Sequence, residues 1–580
     1  MRLPRSPALV VTCVAACVLL PNLGGPPLWD DDEPRNAACS LAMLGSGDWL
    51  VPTFNGRLRV EKPALVNWLH LAGFAVAGVN ETGARLGSAL LTIGTCLLTA
   101  SLAAALGRGA AAWAGVVMAT CLWTGISGRA ATPDAALGFF TTAALWAFVR
   151  GARVAGPDGQ AWRFGAARLS VFAAGGVGCA CGLAMLAKGP VGLVLPLAGL
   201  GLFCWWQAWA DPGRDGSLGR RLAGSLADAW RGLRPLVIVA AALAVAMPWY
   251  AAVTIRTEGA WLREFFLVHN LGRFAAPMEG HSGSALLYYP VVLLVGTFPW
   301  SIAWILVVGH AASAVAARSA ETMGMRLAAC WAAAWLLPFC LSGTKLPGYV
   351  WPAYPALAMA AGAFVAAWIR RPTATTDGWM RVAWGCLAAC GVALAVGMPL
   401  VTRRYAGGGE WLGLIGVVPV AGAVVAWSLH AAQVRGAAAA TWAATAWGTI
   451  GLLMAVGPAC IGHAGGMRQL FHAVEAAAGP VPIASFAAPA SAVFYGGRVA
   501  PGRTVLGLTA PADAAAFVAE HPGGHVVVDA RFASQVADAL PEHYTVLDRS
   551  TSFPTLREVV LYGPAAAPRL AAVPALTSSR

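Results

Sequence analysis

The sequence predicts an all-α polytopic membrane protein that carries a small α/β domain on its outer face. Three observations predict it. The 580 residues are 58% hydrophobic and only 11% charged, whereas a soluble chain of this length divides into several far more charged domains. Apolar runs close to the ~20 residues needed to cross a bilayer recur through the first 465 positions. Arginines gather in alternate connecting segments, the pattern that orients a membrane bundle.

The apolar runs define about 13 expected transmembrane helices: 7–20, 84–106, 110–127, 135–149, 169–187, 190–209, 235–254, 284–309, 326–342, 347–369, 382–400, 410–430 and 438–460. Abundant Ala and Gly suit close helix packing. Met1–Leu20 also has the size of a signal peptide, and Val14-Ala15-Ala16-Cys17 resembles a lipoprotein cleavage box. An uncleaved span is the reading kept, because its loss would reverse the charge pattern. Segments 150–168, 210–234, 310–326 and 370–381 hold fourteen arginines, and alternation puts them on one side with Arg2, Arg5, Arg108 and Arg435. Positive-inside orientation makes that side cytoplasmic. The net charge of +13 is therefore largely a topology signal and gives no reason to invoke nucleic acid. Loops 21–83, 128–134, 255–283 and 343–346 fall outside, as does everything after residue 465. The thirteen cysteines lie mostly within spans and include no Cys-x-x-Cys pair, so they read as small packing residues.

Residues 1–465 form one expected unit and 466–563 a second. In the second, short β-like runs (Pro482–Phe486, Ala492–Tyr495, His525–Asp529, Glu558–Tyr562) alternate with helical stretches at Ala512–Glu520 and Phe532–Leu540. The Pro- and Ala-rich end, 564–580, reads as a disordered tail.

Chemistry is expected in the outer loops. Loop 21–83 exceeds what a connector needs. It opens with Trp29-Asp30-Asp31-Asp32-Glu33-Pro34-Arg35 and continues into a helical pattern (Ala37, Leu41, Leu44) with Gly45 as its stop. The Asn55-Gly56 turn, Glu61-Lys62-Pro63 and a second amphipathic stretch, Ala64–Phe74, follow. Taken alone, Asp30–Glu33 also fits a solvated acidic cap and Asp134 a helix N-cap. Of 39 basic residues only three are lysine, Lys62, Lys188 and Lys345, and each precedes a proline by one or two positions. A chain that otherwise uses arginine points to a need for a compact ammonium there, as beside a phosphate oxygen. Arginine-biased codon usage is the bland alternative. Loop 255–283 adds His269, Asn270 and Arg273 among other polar groups.

These motifs carry a resemblance. Asp32-Glu33-x-Arg35-x-Ala37, Gly47-Asp48-Trp49-Leu50-Val51-Pro52, Asn55-Gly56, Glu61-Lys62-Pro63 and Ala84-Arg85-Leu86 resemble the bacterial lipid A aminoarabinose transferases. They are also similar to the wider protein O-mannosyltransferase group of GT-C glycosyltransferases. Pro133-Asp134, Lys188-Gly189-Pro190, His269-Asn270-x-x-Arg273-Phe274 and Lys345-Leu346-Pro347-x-Tyr349 follow in the family's order, so the resemblance covers roughly residues 25–360. It implies a GT-C fold in the cell inner membrane and a polyprenyl-phosphate sugar donor consumed on the outer face. The acceptor would be a lipid, glycan or protein. By the same resemblance Asp32, Glu33 and Asp134 are the catalytic acids. Lys62, Lys188, Arg273, Lys345, Tyr349 and Arg35 would surround the donor phosphate, with Glu61, His269 and Asn270 completing the site. Two departures stand out: Asp30 and Asp31 extend the acidic run, and Asn270 occupies a position where some aminoarabinose transferases carry histidine. The chemistry requires no cofactor, and the sequence does not support a divalent metal beside Glu61. The rival classes are a lipid flippase, which would show internal repeats, and a non-catalytic receptor, which would have lost the Asp-Glu pair.

Overall fold

In the computed structural model of the chain, the residues described are 5–29, 31–104, 109–152, 154–155, 162–163, 169–210, 217–272, 283–284, 286–317, 323–405, 409–462, 466–552 and 557–565. Among them, nine helices are long and apolar enough to cross a membrane, and two bent pairs bring the number to eleven. The chain is an integral membrane protein. The expected count of 13 is not reproduced as uninterrupted spans, although each expected segment is mainly helical among the described residues. The described first helix, α1 (Arg5–Leu19), has only 15 residues, about 22 Å at 1.5 Å per residue.

Between α1 and the first full span lie the elements that hold the acidic motif. Helix α2 (Asp32–Ser46) begins at Asp32 itself. It runs past the expected stop at Gly45 and ends at Gly47, whose φ of 72° suits a left-handed cap and whose N–H bonds to the Met43 carbonyl. Gly45 answers to a different demand: a Cβ there would come within 2.0 Å of the Gly502 carbonyl oxygen of the C-terminal domain. Strands β1 (Thr53–Phe54) and β2 (Arg57–Leu58) form an antiparallel hairpin. Its turn residues Asn55 and Gly56 have φ of 53° and 74°, as a two-residue type I′ turn requires. Helix α3 (Leu65–Ala77) follows and packs on both α2 and α4 (Glu81–Ala103).

Helices α5 (Ala110–Ala119) and α6 (Leu122–Arg129) form the first bent pair, at 60°. Tyr288–Gly296 and Trp300–Ala316 form the second, at 115°. The two breaks brace each other: the Leu122 N–H donates to the Phe298 carbonyl at 3.0 Å, and the Trp300 indole donates to Thr120 Oγ1 at 2.9 Å. Backbone freed by a broken span thus finds partners inside protein, which a bilayer cannot supply. Helix α7 (Asp134–Gly151) is followed by the short pair β3 (Val154–Ala155) and β4 (Trp162–Arg163), then by α8 (Val171–Lys188), α9 (Val191–Trp209), α10 (Leu218–Leu233) and α11 (Pro235–Arg256). Helix α8 packs on α7 and α11 through small residues. A Cβ at Gly178 would sit 2.3 Å from the Ile238 carbonyl oxygen, so glycine sets how closely α8 and α11 approach. Met323–Leu341, Pro347–Arg370, Ala374–Arg403, Glu410–Ala431 and Arg435–Pro458 complete the spans.

The C-terminal region forms a five-stranded mixed sheet of order β6-β5-β7-β9-β8. Its strands are β5 (Ile483–Phe486), β6 (Leu506–Gly507), β7 (His525–Asp529), β8 (Tyr544–Thr551) and β9 (Glu558–Pro564). Three of the expected β runs are strands here. The fourth, Ala492–Tyr495, lies inside the helix Ala490–Val499, which is buried nearly all round, between α2, the helix Gly466–Ala478 and strand β5, rather than paired in the sheet. Strands β6 and β8 were not expected. Residues 566–580, most of the expected tail, lie outside the described residues.

Candidate active site at the acidic loop

Glu33 is the anchor of the loop. Its carboxylate accepts from Arg85 Nε at 2.8 Å and Nη2 at 2.7 Å, and from the backbone N–H groups of Ala131 and Trp29 at 2.8 and 3.1 Å. Arg85 spends its remaining donors on the carbonyls of Leu23, Pro26 and Pro27 at 2.8–3.0 Å. Both residues are buried, and burial works to raise the Glu33 carboxyl while the Arg85 guanidinium and the two N–H groups bring it below its ordinary value of 4.5. A carboxylate with four donors and no open face holds chain in place. It is not positioned to exchange a proton with substrate.

Asp32, one residue earlier, is reached by solvent and has a different set of cations around it. Crowding by protein works to raise its carboxyl, but the charges of Lys62, Arg59, Lys188 and Arg35 outweigh it and hold the pKa below 3.8. Asp32 therefore stays ionised across the ordinary pH range. Asp30 lies outside the described residues.

Lys62 acts most strongly on Asp32, and Arg59, which directly follows the hairpin, comes next. Arg59 is 4% exposed. It donates to the Arg35 carbonyl at 3.0 Å, to Asn36 Oδ1 at 2.7 Å and to Glu61 Oε2 at 3.4 Å. Behind it, Asn36 Nδ2 holds the Ala131 carbonyl, and Asn67 Nδ2 donates to Ser40 Oγ at 3.0 Å. Ser40 Oγ also meets the Asn36 carbonyl at 2.9 Å and His70 Nδ1 at 3.0 Å. Burial and Arg59 push the His70 imidazole down to about 4, which keeps this network neutral. Trp249 and Trp261 clamp the same loop by donating to the carbonyls of Leu50 and Arg59 at 3.1 and 2.9 Å.

A cavity of about 190 Å³ opens beside these elements, lined by Glu61, Lys62, Lys188, His269, Ser342 and Tyr349 together with apolar side chains. Lys188 ends α8 just before Gly189, whose φ of 85° turns the chain sharply. Its ammonium pairs with Asp134 Oδ1 and lies 5.0 Å from the Tyr349 ring centroid. Asp134 is the first residue of α7, and the N-cap position itself is Pro133. A Cβ at Gly348 would stand 2.8 Å from its other oxygen, so glycine leaves room for that carboxylate. Burial raises and Arg59 lowers the Glu61 carboxyl, with a net fall below 4.5.

Lys345 is placed differently from the other two lysines. Only 3% exposed, it does not line the cavity; its Nζ donates to the carbonyls of Phe339, Cys340 and Ser342 at 3.2, 2.9 and 2.8 Å. All three N–H donors are used to close the end of Met323–Leu341, where helix carbonyls lack partners. Arg35 lies beside the hairpin, 5.8 Å from the Phe54 ring centroid, and contributes charge toward Asp32 and Glu61. Arg273 and the Asn270 side chain lie outside the described residues. Glu61 and His269 share the cavity, and among the described residues no three His, Cys, Asp or Glu side chains gather as a metal site.

Sequence reasoning missed Arg59 and Arg85 as site-building residues. The cue for Arg59 was its two-residue spacing from Glu61 in an extended segment, which puts both on one side. Arg85 was quoted only as part of a motif, and nothing local connects it to Glu33, 52 positions away.

The family of dolichyl-phosphate-mannose-protein mannosyltransferases matches residues 28–262. An undecaprenyl phosphate-α-4-amino-4-deoxy-L-arabinose arabinosyl transferase of Pectobacterium carotovorum is 30% identical over 416 residues, 71% of this chain and 68% of that relative. Relatives of the same name from Shewanella sediminis (31% identical) and an Enterobacter species (28% identical) match over 50% and 64% of this chain. The chain spans about half the length of the first and 61% of the second. The crystal structure of ArnT from Cupriavidus metallidurans bound to undecaprenyl phosphate superposes with a TM-score of 0.72 at 24% identity, covering 96% of this chain and 97% of that one. That likeness establishes the shared GT-C fold, and the extent of the Pectobacterium match shows that the chain belongs to the family of undecaprenyl phosphate-α-4-amino-4-deoxy-L-arabinose arabinosyl transferases.

Proposed function

We propose that the protein is a membrane glycosyltransferase that moves a sugar from a polyprenyl-phosphate donor to a lipid, glycan or protein acceptor on the outer face of the inner membrane. The observation that carries this reading is the placement of Lys62 and Lys188 in one cavity, with the field of both reaching Asp32. The names of the relatives, and the undecaprenyl phosphate bound to the solved one, support a prenyl-phosphate donor.

The donor phosphate sits against the ammonium groups of Lys62 and Lys188. The acceptor oxygen attacks the anomeric carbon from the opposite side, the bond from that carbon to the phosphate oxygen breaks, and the polyprenyl phosphate leaves with its electron pair. The configuration at that carbon inverts. The cations stabilise the charge that grows on the leaving oxygen, so no acid is needed there. Asp32 takes the proton of a hydroxyl acceptor. The same lysines that keep Asp32 acidic in the free protein are partly neutralised by a bound phosphate, which makes Asp32 a stronger base when donor is present. Tyr349 lies beside Lys188 and limits where its ammonium can swing. Glu33 and Asp134 are positioning residues in this scheme, the first holding the loop and the second holding Lys188. No step passes through a metal. The flippase alternative has no observation in its favour.

Binding of undecaprenyl phosphate to the purified protein tests the proposal. Lys62→Met and Lys188→Met should each weaken it by an order of magnitude or more, since either leaves a phosphate charge unpaired. Unchanged binding in both would remove the cavity as the donor site.

A further inference from the structure

Helix α10 lies within a segment the sequence marked only as a basic connector. Leu218, Leu222, Leu226 and Trp230, spaced four residues apart, are 72, 42, 51 and 57% exposed. Ser225, Ala229 and Leu233 are buried along an adjoining edge, where the helix packs on α9. Arg220, Arg221 and Arg231 project from the remaining face against a single Asp228. The helix thus has three edges: one on protein, one apolar and bare, one cationic.

Its two ends are tied to the same end of the bundle. The Arg221 guanidinium lies 5.0 Å from the Trp209 ring at the close of α9. The Gly232 carbonyl accepts from Leu169 N–H at 3.0 Å, just before α8 begins. Arg234, at φ 52°, then turns the chain directly into α11. Lys188 and the cavity stand at the opposite end of α8. The helix therefore crosses the far end of the bundle rather than running along it. The Nε atoms of Arg221 and Arg234 are buried without a hydrogen-bond partner among the described residues, so neither guanidinium is fully committed to protein.

We infer that α10 lies in the plane of the membrane leaflet opposite the cavity and is a binding surface for anionic phospholipids. Its leucines and Trp230 enter the acyl region and its arginines engage lipid phosphates. A helix with one bare apolar edge beside a cationic one has this geometry at a membrane interface, and cationic side chains near anionic headgroups gain attraction there. A soluble protein partner fits less well, because the bare edge continues into the apolar surfaces of α9 and α11, where Leu202, Leu236 and Leu243 are also exposed.

Native mass spectrometry of the full-length protein, with phosphatidylglycerol or phosphatidylcholine added in turn, reads the selectivity. The parent should retain phosphatidylglycerol preferentially, and the Arg220→Gln/Arg221→Gln/Arg231→Gln variant should bind it about tenfold more weakly. A control variant, Arg370→Gln/Arg371→Gln/Arg381→Gln, should keep the preference. In nanodiscs of phosphatidylglycerol brominated near the carbonyl end of the chain, Trp230→Phe should remove part of the quenched fluorescence. Equal retention of the two lipids by the parent, full retention by the α10 variant, or no change in quenching with Trp230→Phe each overturns the inference. Dimerisation lost in the α10 variant would assign the face to a second copy of the chain instead.

Discussion

Replacing Lys345 separates a lysine that builds the site from the lysines that line it. Its ammonium holds three carbonyls at 2.8–3.2 Å in a nearly closed setting. Hydrogen bonds to a charged group contribute ~1.5–3 kcal/mol each, and three sharing one ammonium are not additive, so Lys345→Met should cost about 3 kcal/mol of stability. That is roughly two decades in the folded-to-unfolded ratio. Lys345→Arg should recover only part of it, because the longer, planar guanidinium does not fit the nearly closed setting shaped around a compact ammonium. Thermal unfolding of the purified protein, run beside a donor titration, checks this. The expected result is a clearly lowered midpoint with an unchanged KM for donor in the molecules that remain folded. A raised donor KM at an unchanged midpoint would refute the reasoning and return Lys345 to the phosphate.

Four further outcomes follow from the same geometry. Asp32→Asn should abolish transfer while leaving insertion and prenyl-phosphate binding intact; an active Asp32→Asn with an inactive Asp134→Asn would move the base to Asp134. Because the Asp32 carboxyl in the free protein lies below 3.8, kcat/KM, which reports the free enzyme, should hold level through neutral pH and fall only in acid below about pH 4; an inflection near pH 6 in that profile would contradict the placement. Arg85→Met should destabilise by about 3–5 kcal/mol by stranding the buried Glu33 carboxylate. The pairing that lowers the folded pKa of Glu33 adds stability above its ordinary value of 4.5, lost as pH falls through the folded value; in Arg85→Met burial outweighs the two backbone N–H groups and raises the carboxyl, so this acid dependence should reverse, with stability gained as pH falls. A periplasmic-only reporter should be active after Gly465 and silent near Asp215; the reverse would place the acidic loop in the wrong compartment for a polyprenyl-phosphate donor used on the outer face.

Much of the architecture was legible because it is written in local pattern. Apolar runs marked the spans, and Asn55-Gly56 marked a hairpin whose two positive φ angles need those residues. The breaks near Cys121 and Pro299 were not legible, since the bonds that stabilise them join chain segments almost 180 positions apart. Helix α10 was not legible because its leucines are too sparse to read as a span and sit among arginines and small residues. The run Ala492–Tyr495 has the composition of a strand, and its packing on α2 decided for helix. At the site, the acidic pair and the lysines stood out by residue type. Their division of labour did not, because Glu33 and Asp32 differ only in which neighbours the fold brings to them. Lys345 shares its sequence setting with Lys188 yet turns back onto its own helix end.

A prenyl-phosphate-dependent transfer that runs through the acidic loop should leave its product in the cell envelope. Mass spectrometry of envelope glycolipids and glycoproteins from a deletion strain, complemented with the parent gene or with Asp32→Asn, tests it most directly. A glycan modification that disappears on deletion, returns with the parent and stays absent with Asp32→Asn, at equal protein level, is the predicted result. An unchanged set of envelope glycans in the deletion strain, or full restoration by Asp32→Asn, would contradict it.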